Sequence, residues 1–237
     1  MITLASLANF AKITPLALAD SVNPCAIAIL SMVLIAIMSQ NPDKRKKVLL
    51  GGIAFVASVY IAYLVYGLII IQFFMTFAGF MREKTDIIYD GLAIIAMIIG
   101  ALQIKDYFYY KPGTIGTEMP MFMRPTAKKT IKNITSPKGA FIIGFVVSIF
   151  LLPCTMGPYI VASGLLSEIG IIGAIPWLLY YNLLFVLPMI FIVGLVYYGF
   201  TKVDDVSGWK ERNIKKLHLV AGSLLFLVGL ALLIGWI

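Results

Sequence analysis

Long apolar runs separated by short polar segments set the pattern along this chain. A helix needs about 20 consecutive apolar residues to cross the hydrocarbon core of a bilayer. Six stretches reach or approach that length, and they are Thr14–Met38, Val48–Phe74, Ile87–Ile104, Ala140–Leu166, Ile171–Phe200 and Leu217–Ile237. The pattern therefore predicts an all-α, polytopic membrane protein with six transmembrane helices.

Composition and charge support this interpretation and predict an orientation. The chain has 237 residues, of which 61% are hydrophobic and 13% charged, and this is too apolar for a soluble globular protein. Most of the Lys and Arg residues fall in the first, third and fifth loops between the predicted spans. Because cytoplasmic loops are enriched in these residues, we expect a cell (cytoplasmic) membrane protein with both termini extracytoplasmic. A basic cytoplasmic face that attracts anionic lipid headgroups accounts for the net charge of +8. We therefore expect a lipid bilayer as the partner and no nucleic acid.

A polar segment divides the chain into two halves. Residues 105–137 are basic and contain several Pro and Gly residues, which predicts a cytoplasmic linker. Residues 1–104 and 138–237 would each hold three spans, and an odd number of spans makes the second half enter the membrane in the opposite sense. We therefore expect two inverted three-helix repeats, an arrangement that places a working site near the membrane midplane.

The chain has only two cysteines, and each follows a proline inside an apolar stretch. A proline within a helix removes a backbone donor and clashes with the preceding turn, so it interrupts or kinks the helix. In the first span, Asn23 suits an N-cap and Pro24 a first helical residue. Cys25 would then lie at the positive end of a half-helix, where a thiolate is favoured.

The second cysteine lies in a similar setting within the fourth span. Pro153 precedes Cys154, and Gly157 and Pro158 follow as a second weak point, although no polar cap is present. The order of residues predicts a second break or hinge at a depth that matches the first. The two Pro-Cys pairs are the only convincing similarity between the halves of the chain.

Three interpretations of the two thiols follow. They pack as inert small hydrophobes beside kink prolines, or they exchange a disulfide with partner proteins, or they carry a soft metal such as Cu(I). A disulfide requires Cα atoms about 4.4–6.8 Å apart, so it predicts that the first and fourth spans pack together. Three methionines, Met119, Met121 and Met123, fit the metal hypothesis, a docking surface or an apolar patch.

Two other ionisable residues stand out. Asp20 precedes Cys25 within the first span, where it is a candidate for a proton or water path or reaches interfacial water. His218 is the only histidine, and we expect it at the cytoplasmic interface. The sequence has no haem-attachment site and no phosphate-binding glycine loop, so we expect neither a cofactor nor a resident metal.

The Pro-Cys pairs in the first and fourth of six spans resemble those of the CcdA family, cytochrome c biogenesis electron transporters related to the transmembrane domain of DsbD. The resemblance covers essentially the whole chain. It implies an electron transporter more than a conventional enzyme, with a reversible Cys25–Cys154 disulfide that Pro24 and Pro153 shape.

The same resemblance implies the partners and the cycle. Reducing equivalents would pass from cytoplasmic thioredoxin to an extracytoplasmic thioredoxin-like protein, for cytochrome c maturation or disulfide reduction, through alternating access. One departure is visible, because family members commonly have another proline soon after the first cysteine. Here Ala26-Ile27-Ala28 follows Cys25, whereas the second motif keeps Pro158.

Overall fold

A computed structural model describes residues 4–40, 45–80, 85–110, 121, 122, 124–132, 136–199 and 203–234. All regular secondary structure in these ranges is helical. The helices are α1 (Leu4–Ser21), α2 (Pro24–Gln40), α3 (Arg45–Phe80), α4 (Thr85–Phe108), α5 (Arg124–Lys132), α6 (Pro137–Leu166), α7 (Gly170–Tyr198) and α8 (Val203–Leu233). A 3₁₀ turn, Ser167–Ile169, joins α6 to α7.

Several helices are long and apolar enough to cross a membrane, so the chain is a multi-pass membrane protein. Within the described ranges, the stretches Lys46–Thr76, Asp90–Phe108, Cys154–Tyr198 and Asp205–Leu233 meet this requirement. Asn9–Ser21 and Pro24–Ser39 form a fifth candidate if the bent pair counts as one span. The structure thus supports four or five spans, and six spans in two inverted repeats stay a prediction.

The first span is broken where the sequence predicts it. α1 ends at Ser21, α2 begins at Pro24, and the axes of the two helices differ by 48°. Proline has no N–H to continue the ladder of α1, but it fits the first position of a new helix. The break therefore follows from local sequence alone.

The fourth predicted span differs from expectation, because α6 is continuous. Its N-cap is Ser136, whose side chain accepts a hydrogen bond from the backbone N–H of Gly139. From Pro137 the helix runs to Leu166 through residues 153–158 without the interruption predicted at Pro153. Membrane helices tolerate proline where neighbouring helices pack around the freed carbonyl, and α6 contacts α1, α3 and α4.

Two elements extend the predicted pattern. α8 begins at Val203 and not near Leu217, so four basic residues that the prediction assigned to the fifth loop lie within this helix, and they are Lys210, Arg212, Lys215 and Lys216. α5 forms inside the predicted linker 105–137 and buries Ala127 and Ile131. Both segments alternate charged and apolar residues at helical spacing, so they lack the continuous apolar run that identified the spans.

Packing divides the helix surfaces between a core and a lipid-facing exterior. The most extensive helix contacts join α4 to α8, α3 to α6 and α3 to α7. The predicted packing of the first span on the fourth is confirmed, since α1 and α2 both contact α6. Large exposed apolar side chains such as Ile69, Phe73 and Phe191 lie on the outside, as expected for surfaces that meet lipid tails.

Candidate functional site

The break in the first span borders a small enclosed cavity that also reaches the second cysteine. Its lining comes from five helices and the break, and it consists of Ala19, Asp20, Asn23, Pro24, Gln103, Cys154, Pro158, His218 and Ala221. Its volume of about 10 Å³ is close to the smallest that holds one water molecule. One residue of each Pro-Cys motif, Pro24 of the first and Cys154 of the second, therefore lines the same cavity inside the helix bundle.

Both cysteines are thiols buried in the same apolar core. Cys25 is 8% exposed and Cys154 is 4% exposed. The backbone N–H of Cys25 donates a 2.9 Å hydrogen bond to Oδ1 of Asn23. Asn23 thus satisfies one of the donors that a helix start leaves without a partner, and it fixes Cys25 in the first turn of α2.

Asp20 is buried at the end of α1 and does not reach interfacial water. It is 1% exposed, and its Oδ2 accepts a 3.1 Å hydrogen bond from the hydroxyl of Tyr181 on α7. Its Oδ1 finds no hydrogen-bond partner among the described residues. A buried carboxyl group with one oxygen left over beside a water-sized cavity is suited to hold a water molecule or exchange a proton.

A cluster of buried tyrosines continues from Asp20 toward Cys154. The ring of Tyr181 lies 5.2 Å from that of Tyr159, which lies 5.4 Å from that of Tyr63, both in edge-on geometry. The hydroxyl of Tyr63 lies 2.8 Å from Oγ1 of Thr155, the residue after Cys154. Tyr159 donates to the carbonyl of Tyr63 and, at 3.5 Å, to Oδ1 of Asn182. These contacts tie α3, α6 and α7 together around the second cysteine.

Two residues of the cavity were missed as site residues by the sequence analysis. His218 is 1% exposed and lines the cavity, so it is buried among the helices, and its position at the cytoplasmic interface stays a prediction. Gln103, 5% exposed, lines the opposite side from α4. The sequence contains only a weak indication of their role. A single histidine or glutamine in an apolar segment indicates a buried polar contact but not which helix that contact involves.

The remaining predicted site residues have separate positions. Pro158 lines the cavity, and Gly157 packs where a Cβ atom would come within 3.0 Å of Ile99 and 3.2 Å of Leu225. The side chain of Pro153 and residues Met119 and Met123 lie outside the described part of the chain, and Met121 is exposed. Among the described residues, no group of three or more His, Cys, Asp or Glu side chains is placed to hold a metal ion.

The arrangement offers thiol chemistry and proton exchange in one enclosed place. Cys154 lines the cavity with a carboxyl group and an imidazole, and Cys25 lies at a capped helix start directly after Pro24, which lines the same cavity. Thiol–disulfide exchange requires thiolates as nucleophiles and proton acceptors for the thiols that form them. The side chains needed for both steps are present at this cavity.

Comparisons of the chain with models of protein families, with curated proteins and with solved structures found no match. The functional interpretation therefore depends on the residues of the cavity and on the resemblance of the two Pro-Cys motifs.

Proposed function

We propose that this protein carries reducing equivalents across the cytoplasmic membrane by thiol–disulfide exchange, using a reversible Cys25–Cys154 disulfide. The observation that carries the proposal is the shared cavity, which Pro24, the neighbour of Cys25, lines together with Cys154. The chain has only two cysteines, and the Pro-Cys motif of each contributes one residue to this cavity. Plain core packing gives no reason for a carboxyl group and an imidazole at the same cavity.

Electrons and protons balance in the proposed cycle as follows. A thiolate of a reduced partner attacks one sulfur of the Cys25–Cys154 disulfide, which breaks, and the released cysteine leaves as a thiolate and takes up a proton. The second thiol of the partner then attacks the mixed disulfide. The partner becomes a disulfide, and Cys25 and Cys154 become two thiols, with two electrons and two protons gained. The same steps in reverse reduce a second partner.

The partners come from the resemblance to the CcdA family. Cytoplasmic thioredoxin would supply the electrons, and an extracytoplasmic thioredoxin-like protein would accept them for cytochrome c maturation or disulfide reduction. The orientation with basic loops in the cytoplasm and both termini outside belongs to the same proposal, as does the arrangement of six spans as inverted repeats.

Access to the thiols requires movement. With Cys25 and Cys154 at 8% and 4% exposure, a soluble partner has to meet a more open arrangement than this one. The break between α1 and α2, with its 48° bend, is a suitable hinge because only Val22 and Asn23 separate the two helices. We propose that α2 moves at this break, so that the cysteines open to one side of the membrane at a time.

A trapping experiment tests the proposed function. The variants C25S and C154S, and the double variant as a control, are incubated with a thioredoxin that lacks its second active-site cysteine. We expect one single variant, pre-activated as a mixed disulfide with a small thiol, to form a covalent adduct with thioredoxin, because one thiol captures the partner and the other resolves it. Adducts in neither single variant would contradict the proposal.

The soft-metal hypothesis predicts a different result with the unmodified chain. In that case Cu(I) binds in a fixed ratio to the two thiols, and mild oxidant produces no internal disulfide. Measuring both quantities on the same preparation separates the two functions.

A further inference from the structure

His218 lines the same cavity as Cys154. Its position there is determined by the close packing of α8 on α4 at several glycines. A Cβ atom added to Gly222 of α8 would come within 2.7 Å of Cβ of Gln103, and one added to Gly100 would come within 2.8 Å of the carbonyl oxygen of Gly222. A Cβ atom on Gly229 would meet the carbonyl of Ala93, also at 2.8 Å. Residue numbers thus fall along α4 as they rise along α8, so the two helices are closely packed and antiparallel.

This register determines the level of His218. His218 precedes Gly222 by four residues and so lies on the face of α8 that packs against α4. Gln103 of α4 lies at the level of Gly222. One helical turn further along α4, at the level of His218, the corresponding residue is Asp106. Both His218 and Asp106 are buried, with exposures of 1% and 2%.

The position relative to Cys154 follows from Gly157 in the same way. A Cβ atom on Gly157 would contact Leu225 of α8 and Ile99 of α4. α6 thus approaches α8 at Gly157, and His218 and Cys154 line one cavity from these two helices. The titratable side chains that line the cavity with His218 are Asp20 from α1 and Cys154 from α6, the ring of Tyr110, just after α4, lies 6.0 Å from that of His218, and Asp106 lies at the same level of α4.

We propose that His218 exchanges the proton that the Cys154 thiol loses and regains, through the cavity that both residues line. The inference rests on the proposed function, and it assigns a proton-exchanging residue to it. When Cys154 leaves the disulfide as a thiolate, an imidazolium at His218 donates the proton and becomes neutral. When Cys154 next becomes a nucleophile, the neutral imidazole takes the proton back. No electron passes through His218, so it changes only the protonation of the thiol.

The cavity supplies the medium for this exchange. Asp20 lines the same cavity, and its Oδ1 has no hydrogen-bond partner among the described residues. Such an atom beside a space for about one water molecule is typical of a site that holds bound water. A water molecule between Asp20, Cys154 and His218 would carry the proton over the remaining distance.

The test uses the C25A variant, in which Cys154 is the only thiol, and its derivatives C25A/H218Q and C25A/H218A. The rate at which a small neutral methanethiosulfonate modifies Cys154 is followed by mass shift as a function of pH. Near neutral pH we expect the rate to fall about tenfold in both derivatives, because the Cys154 thiol has lost a proton acceptor. In strongly alkaline solution the rates should converge, because hydroxide then takes the proton and ionisation no longer depends on His218.

Added imidazole provides the rescue. It should restore the rate of C25A/H218A near the lower pH, since it fits the space that the truncated side chain leaves, and it should not change C25A/H218Q. A rate that falls by the same factor at all pH values, or a lack of rescue, would overturn the inference and indicate a structural role for His218. Because the assay needs no disulfide and no partner, such a result leaves the proposed function standing. Conversely, a normal His218 effect in a protein that forms no Cys25–Cys154 disulfide supports the proton exchange and removes the electron-transfer proposal.

Discussion

Tyr181 donates a 3.1 Å hydrogen bond to Oδ2 of Asp20, and this bond joins the middle of α7 to the end of α1 at the break in the first span. Both residues are buried, at 0% and 1% exposure. The pair therefore holds the last turn of α1 against the helix that packs on α3. It also sets the position of the carboxyl group that lines the cavity with Cys154.

Removing the hydroxyl of Tyr181 should destabilise the protein. In Y181F, Asp20 loses the hydrogen bond of Oδ2 while its Oδ1 already has no partner among the described residues. A buried polar group without a partner costs about 1–3 kcal/mol, and we expect the free energy of unfolding in detergent to fall by about that amount. In D20L/Y181F both polar partners are gone, so the double variant should be more stable than Y181F alone.

Y60F is the matched control for this prediction. Tyr60 donates a 3.2 Å hydrogen bond to the carbonyl of Leu179, which lies inside α7 and keeps its helical hydrogen bond when the hydroxyl is removed. Its effect should stay within about 0.5 kcal/mol. Equal unfolding free energies for Y181F and Y60F would show that the bond to Asp20 contributes nothing.

The cap of α2 makes a second prediction. N23A removes the acceptor for the N–H of Cys25, and the loss of an N-cap costs about 1 kcal/mol. Hydrogen exchange measured by mass spectrometry should accelerate in peptides that cover the first turn of α2. N23D retains an acceptor and should behave as the unmodified chain does.

S136A provides a comparison at another helix start. Ser136 caps α6 with a 3.2 Å bond from the N–H of Gly139, so its loss should accelerate exchange at the start of α6 and leave α2 unchanged. Acceleration at the start of α2 in S136A, or its absence in N23A, would contradict the local capping account.

Close packing of α4 on α8 gives a third prediction. A methyl group on Gly100 would come within 2.7 Å of the backbone nitrogen of Phe226, which cannot move aside as a side chain can. We expect G100A to lower the free energy of unfolding by about 1–3 kcal/mol and to displace Gln103 and His218 from the cavity. G91A on the same helix meets no atom of the described residues within 4 Å, so it should be neutral or slightly stabilising. Similar stabilities for G100A and G91A would show that the helices are farther apart.

Local sequence was sufficient to predict the break in the first span but not the behaviour of the fourth. Asn23 and Pro24 form a cap and a first helical residue whatever surrounds them. Pro153 has no preceding polar cap, and the helix continues through it, because packing by neighbouring helices decides whether a proline interrupts a membrane helix. The same dipeptide therefore gives two different backbone structures.

The polar lining of the cavity depends on contacts between distant parts of the chain. His218 and Asp20 are nearly two hundred residues apart in sequence, and they meet because α8 packs against α1, α2 and α4. The spacing of apolar residues predicts which face of an amphipathic helix packs inward. A membrane helix that is apolar on all sides shows no such spacing, so its packing face cannot be predicted in this way. For this reason the sequence pointed to Cys25, Cys154 and Asp20 as candidates but did not indicate that His218 and Gln103 line a cavity with Cys154 and Asp20.

The formation of a disulfide between Cys25 and Cys154 tests the central claim most directly. The purified protein in lipid nanodiscs is treated with a mild oxidant, alkylated without reduction, digested and mapped by mass spectrometry, with C25S and C154S as controls. The account predicts an intramolecular cross-linked peptide pair that contains both cysteines and disappears when reduced thioredoxin is added. Two alkylated cysteines after oxidation, with no cross-linked pair at any oxidant concentration that leaves the protein folded, would contradict it.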